Sequence, residues 1–229
     1  MFKIILQIFL LIYIIFVIYN IINIQKYNVN GYVIDTDKYD ILIDNIIKLN
    51  PVKFTETETN VTIDQLIDYN PECIINDNKR LKDYHSIDSL KIDKNNDLFD
   101  QLDIQRFIHF DFDKLPSSEI NIIKQNYVSI FKGEQKSSLK VALNNYNIIG
   151  MLKGETTIYL FNPKHKEDIL GKENFEIKKW GHKKKLKEND IIFIPPYWEY
   201  IQESNTNVIQ FNIDINNIFT FIPNYIRNI

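Results

Sequence analysis

The chain has 229 residues, enough for one sizeable core or one core with a small appendage, and 27 basic against 30 acidic side chains leave a net charge of -3. That balance excludes a global field that would draw the protein onto nucleic acid or another polyanion. A single cysteine, Cys73, excludes an intramolecular disulfide framework and every multi-cysteine zinc pattern.

The N-terminus opens with "IILQIFLLIYIIFVIYNIINI", Ile4 to Ile24, without a charge. At 1.5 Å per residue the run reaches roughly 31 Å, the depth of one hydrocarbon layer. It exceeds a signal-peptide core, and no small-x-small cleavage site follows. The expectation is therefore a single N-terminal transmembrane helix over residues 1–25, a spacer over 26–37 and a folded body over 38–229. Lys3 on one side faces only Lys26 and Lys38 on the other, so orientation stays open.

In the body, "KYDILIDNIIKLNP" carries apolar residues at helical spacing and stops at Pro51, and "TIDQLIDYNP" opens on Thr62-x-x-Gln65, a capping-box pattern. Both read as helices. "GYVID", "ECIIN" and "RFIHFDF" read as strands, and "SSEINIIKQN" as a helix. From residue 126 the texture changes to "YVSIF", "SLKVAL", "NIIGMLKG", "TIYLF", "FEIKKW", "IIFIP", "YIQES" and "VIQFNID". Eight short strands without helical patterns between them predict a mainly β jelly roll over 126–215, preceded by a helical preface (38–125) and followed by an apolar tail (216–229).

Two segments carry a resemblance. "NIIGMLKGETTIYLFNP" places Asn147, Gly154, Leu160, Phe161 and Pro163, and "LKENDIIFIPPYWEYIQES" places Asn189-Asp190, Ile194-Pro195 and Trp198, in the pattern of the cupin-like, JmjC-type hydroxylase family. The resemblance covers residues 126–215 and implies a cupin-like double-stranded β-helix. In active members a facial triad of two histidines and a carboxylate holds ferrous iron and leaves room for 2-oxoglutarate and oxygen.

Aligned on Gly154, the His-x-Asp positions of the family fall on Val141 and Leu143; aligned on Trp198, the distal histidine falls on Tyr200. None of these is an iron ligand. The lysine that pairs with 2-oxoglutarate in many members corresponds to Thr156, which has no charge. With Val141 and Leu143 facing inward, the old pocket is expected to be small and dry. The function expected is a membrane-anchored, non-catalytic binding or scaffold module without cofactor or metal. Its pocket mouth would comprise Asn147, Thr156, Trp198 and Tyr200, and the partner would be a peptide, small molecule or protein and not nucleic acid.

Two alternatives stay open. One is a divergent hydroxylase using Fe(II) and 2-oxoglutarate, with His109-x-Asp111 and His165 or His182 as relocated ligands. The other is a structural membrane protein that self-assembles through its jelly roll. "GHKKKLKE" adds the option of contact with anionic lipid headgroups beside the anchor, against the plain reading of a solvated lysine loop.

Overall fold

The computed structural model describes residues 2–27, 33–55, 61–76, 79–116 and 121–217. Helix α1, Phe2–Tyr27, takes up the apolar N-terminus. Most of its described side chains are exposed, Ile4 at 63% and Phe9 at 67%. Across the described residues no helix is long and apolar enough to cross a membrane. The side chains of Phe16 and of residues 20–27 lie outside that description, and so does part of the expected span.

The preface alternates short helices and strands: β1 (Ile34–Thr36), α2 (Tyr39–Ile47), β2 (Val52–Thr55), α3 (Ile63–Tyr69), β3 (Ile74–Asn76), β4 (Lys79–Arg80), β5 (Leu90–Asn95) and α4 (Asn96–Gln101). Both predicted helices form. The capping box closes reciprocally: Gln65 N–H donates to Thr62 Oγ1 at 3.2 Å, and Thr62 N–H to Gln65 Oε1 at 2.9 Å.

The body continues with β6 (Asn121–Lys132), β7 (Gln135–Lys136), β8 (Lys140–Val141), β9 (Tyr146–Lys153), β10 (Thr156–Phe161), α5 (Lys166–Ile169), α6 (Asn174–Ile177), β11 (His182–Leu186), β12 (Asp190–Ile194), β13 (Glu199–Ser204) and β14 (Val208–Asn217). One sheet runs β1-β2-β12-β9-β14-β6-β5, and the other β11-β10-β13-β7, with β8 also on β13. Counting β7 and β8 as one interrupted strand, the eight strands from β6 onward interleave between the sheets as 1-8-3-6 and 2-7-4-5. That is the order of a jelly roll, and it rests on the pairings alone.

Three readings give way to tertiary context. The "EINIIKQN" helix is β6 from Asn121 onward, because Asn121 and residues 123–126 pair with β14; residues 117–120 lie outside the described residues. "FEIKKW" is helical, with Ile177 fully buried at the end of α6. "RFIHFDF" is a pair of 3-10 turns flanking an extended stretch, in which Ile108 and Phe110 are buried while His109 and Asp111 face solvent. Conversely, "HKKKL" is strand β11 at a sheet edge, where outward lysines discourage further pairing.

The core forms three apolar layers. The preface side chains Leu42, Ile46, Leu66, Leu98 and Phe99 pack on the outer face of the large sheet, against Val128, Ile130, Ile148, Phe193, Phe211 and Ile213. Between the sheets lie Ile149, Met151, Ile192 and Ile194 opposite Ile158, Leu160, Trp198 and Tyr200. Outside the small sheet, Phe161 and Ile201 are covered by Ile169 and Ile177.

Turn chemistry locks the two resembling segments. Asn189 takes φ 71°, the left-handed conformation that asparagine tolerates better than most residues, in the place where the family has glycine. Its neighbour Asp190 is 3% exposed; it accepts from Thr55 Oγ1 at 2.8 Å and pairs with Lys53 at 2.8 Å, tying β12 to β2. Gly154 sits at φ +81°, and a Cβ there would lie 2.1 Å from the Asn207 carbonyl oxygen. Gly154→Ala is therefore expected to cost about 2 kcal/mol or more, read as a lower urea midpoint with unchanged m, since neither backbone can yield cheaply.

Candidate functional site

The jelly-roll interior is built by alternation. On β14 the sequence "VIQFNIDIN" sends Ile209, Phe211, Ile213 and Ile215 outward into the preface layer, leaving Gln210, Asn212, Asp214 and Asn216 on the inner face. All four polar residues are buried, together with Ser129, Asn147 and Gln202. The interior is thus half apolar and half polar, which corrects the expectation of a dry pocket.

Cross-strand register decides which residues point in. Tyr200, 4% exposed and packed between the sheets, is paired with Lys140, and Glu199 with Val141. Paired residues share a face, so Lys140 points inward and Val141 outward, where it is 43% exposed. Ala142, fully buried between the sheets, is the second inward residue. The inward pair is therefore Lys140 and Ala142, one residue off the expected Val141 and Leu143. Leu143 is half-buried and outside that core cluster.

A bulge supplies the partners of the inward charges. Register along β5 breaks between Ile92 and Asn95, and Lys94 takes φ 50°. Asp93 accepts from Lys140 Nζ at 2.6 Å, and Lys94 Nζ pairs with Asp214 Oδ2 at 2.7 Å. Asn147 Nδ2 donates to the other Asp214 oxygen at 2.8 Å, while its own oxygen accepts the Asn144 N–H at 3.1 Å. Asn212 Nδ2 donates to Ser129 Oγ at 2.8 Å, and Gln202 and Gln210 bond to each other. Each carboxylate is paired with an ammonium group, Asp214 as a buried residue and Asp93 as an exposed one on β5 at the edge of the large sheet.

The four expected pocket residues are all buried, and three of them share one end of the barrel. Asn147 and Tyr200 both adjoin Asp214, and Trp198 lies two residues from Tyr200 on the same side of its strand. Thr156 does not join them. It sits four residues from Leu160, the partner of Tyr200, roughly 13 Å along β10, and donates to the Glu203 carbonyl at 2.9 Å. With exposures of 5% or less, none of the four offers a surface to a ligand. Beside the network, between Asp93, Ser137, Lys140 and Gln202, the free space is about 20 Å³, little more than one water.

Burial, then the charges of Asp214 and Asp93, push the Tyr200 phenol well above its ordinary pKa of 10. A raised folded value means that this residue's contribution is fully present below pH 10 and is lost as pH rises beyond it. Tyr200→Phe is expected to lose less stability than the parent between pH 8 and 11, measured as the urea midpoint against pH.

The donor set does not fit ferrous iron. The inward positions hold an ammonium, a methyl group and a protonated phenol, and the nearby carboxylates are engaged by lysines. Among the described residues no group of three or more His, Cys, Asp or Glu side chains could hold a metal. His109 and Asp111 face solvent, His165 stacks near Trp180 at 5.3 Å, and His182 lies 6.3 Å from the Trp198 ring. The structure does not bring the relocated ligands together.

No sequence family and no curated protein matches the chain. Among solved structures it is similar to a cupin superfamily protein from Desulfitobacterium hafniense, at 13% identity and a TM-score of 0.31, over 41% of this chain and 68% of that one. It is also similar to salicylate 1,2-dioxygenase from Pseudoaminobacter salicylatoxidans (8% identity, TM-score 0.30, 40% of this chain and 20% of that one). The coconut allergen cocosin gives 9% identity and a TM-score of 0.31, over 41% and 22%. The chain thus spans about one fifth of the latter two proteins. Overlaps at this level carry no argument about activity; the strand order and the side chains inside the barrel are the evidence for this chain.

A larger cavity, about 350 Å³, lies outside the barrel among Thr62, Asp64, His85, Lys132 and Lys153. Its charged groups are engaged: His85 bonds Asp64 at 2.8 Å, Lys132 donates to the Tyr84 and His85 carbonyls, and Lys153 pairs with Glu188.

The sequence reading missed Asp93, Lys94, Lys140 and Asp214. Strict alternation in "VIQFNIDIN" was the available signal for Asp214. Nothing in the sequence marked the bulge that aims Asp93 and Lys94.

Proposed function

We propose that the chain is a single-pass membrane protein whose jelly roll serves as a non-catalytic binding or scaffold module, working through its outer surface. One observation carries the reading: the position where the resembling family binds iron is filled by Lys140, Ala142 and Tyr200 and closed by the Lys140–Asp93 and Lys94–Asp214 pairs. An ammonium there repels a divalent cation. The anchor reading is supported by the uncharged run Ile4–Ile24 and by the exposed apolar side chains described between Ile4 and Tyr19.

The test is calorimetric titration of the detergent-solubilised full chain with ferrous or manganous ion under anaerobic conditions. No stoichiometric binding is expected. Micromolar binding abolished by His109→Ala or Asp111→Ala would establish the divergent Fe(II) and 2-oxoglutarate hydroxylase instead. For the anchor, the chain is expected to stay in the membrane pellet through alkaline carbonate extraction, and its release would sink that part.

A further inference from the structure

The excursion between β10 and β11 combines two properties that separate it from the rest of the body. Leu170 at 73% and Phe175 at 71% are the most exposed large apolar side chains among the described residues. They stand at the tip joining α5 to α6, where Gly171 at φ +73° would leave a Cβ in open space. Their neighbours Ile169 and Ile177 point the other way and seal the tip onto Phe161 and Ile201. The tip therefore keeps its apolar side chains outward although the excursion has a core of its own. Trp180, a third aromatic or aliphatic group, is 38% exposed.

The same stretch is basic. From Asn162 to Lys185 there are eight lysines against four carboxylates, in a chain whose net charge is -3. Lys178, Lys184 and Lys185 pair with Glu203, Asp35 and Glu155. Lys164, Lys166, Lys179 and Lys183 have no carboxylate partner among the described residues. Lys179 and Lys183 instead lie over the Trp180 and Tyr159 rings.

The excursion is also held near the apolar helix. Lys184 Nζ bonds both oxygens of Asp35 at 2.9 Å, which fastens β11 beside β1. Strand β1 begins at Ile34 and α1 ends at Tyr27, so six residues separate the two and the seven steps between them reach at most about 25 Å.

We propose that the 162–185 excursion is a second membrane contact, in which Leu170, Phe175 and Trp180 enter the interface while the lysines take anionic lipid headgroups. Exposed aliphatic and aromatic groups ringed by lysine suit a bilayer surface, where apolar burial and charge attraction add. The proposal rests on the anchor reading for the nearness of the bilayer, and the test separates the two.

The full chain is reconstituted into vesicles of phosphatidylcholine alone or with phosphatidylglycerol, carrying brominated acyl chains that quench tryptophan on contact. Trp198 is fully buried, so the difference between the parent and Trp180→Phe reports Trp180. Loss of most Trp180 emission is expected in the anionic vesicles and little loss in the neutral ones. Charge reversal of Lys164, Lys166, Lys179 and Lys183 to Glu, or Phe175→Ser at a solvated position, is expected to abolish the loss. Equal quenching in both lipids, no quenching in either, or quenching indifferent to these substitutions overturns the proposal. A chain released by alkaline wash yet quenched in anionic vesicles keeps this contact and overturns only the anchor. A retained chain with unquenched Trp180 does the reverse.

Discussion

Asp214→Leu is expected to lower the unfolding free energy by about 3 kcal/mol, because it strands the Lys94 ammonium inside the barrel and removes the acceptor of Asn147 Nδ2. The Asp214 side chain is 9% exposed and that of Lys94 29%, so the lysine recovers some hydration and the loss falls at the lower end for a broken buried pair. The double variant Lys94→Met with Asp214→Leu is expected to regain most of it, since two apolar groups of similar size leave no buried charge. Urea unfolding followed by fluorescence in one detergent measures both. A double variant as unstable as the single one would show that something other than charge balance keeps Asp214 in place.

The second large effect concerns Trp198, the family-like signature residue of the distal strand. It is fully buried: its relative exposure is 0%, and it heads the largest fully buried side chains among the described residues. Trp198→Ala is expected to cost about 4 kcal/mol through the cavity it opens between the sheets. Against a typical total of roughly 5–15 kcal/mol, that brings a domain near the point of unfolding at moderate temperature. Trp198→Phe, which retains most of the apolar contact, is expected to cost less than half as much. The same thermal melt on both variants checks the claim, and equal losses would mean that the indole N–H, not volume, is what the site requires.

These two residues show how differently the sequence exposed its parts. Trp198 stood out because it follows a turn, a strand and a double proline, all local features that survive without the rest of the fold. Asn189-Asp190 stood out for the same reason, and the backbone there, at φ 71°, needs a residue that tolerates the left-handed region. Helices α2 and α3 were legible from spacing and caps. Strand β6 was not, because its N-terminal half has a helix-like distribution of isoleucines, and pairing with β14 outweighs that local preference.

The site was less legible. That the positions aligned with the resembling family's ligands hold no iron ligand followed from residue types alone and is true in either register, since neither Val141 and Leu143 nor Lys140 and Ala142 bind iron. The charge network did not follow from residue types. Asp93 lies 47 residues before Lys140 and Lys94 lies 120 before Asp214, and both are aimed by a bulge, a local break in pairing with no strong sequence mark.

By itself the sequence determined the alternation of the strands, the helix stops and caps, the uncharged N-terminal run and the absence of a histidine at position 200, because each depends on a few consecutive residues. Only the tertiary structure decided which alternate face is inside. A strand of period two defines two faces and does not say which one meets the other sheet, and a shift of one residue exchanges them. Here the preface helices cover the isoleucine face of β14, so its glutamine, asparagine and aspartate residues line the barrel. The partner strand puts Lys140, not Val141, beside Tyr200. The interior was thereby settled by what packs outside it.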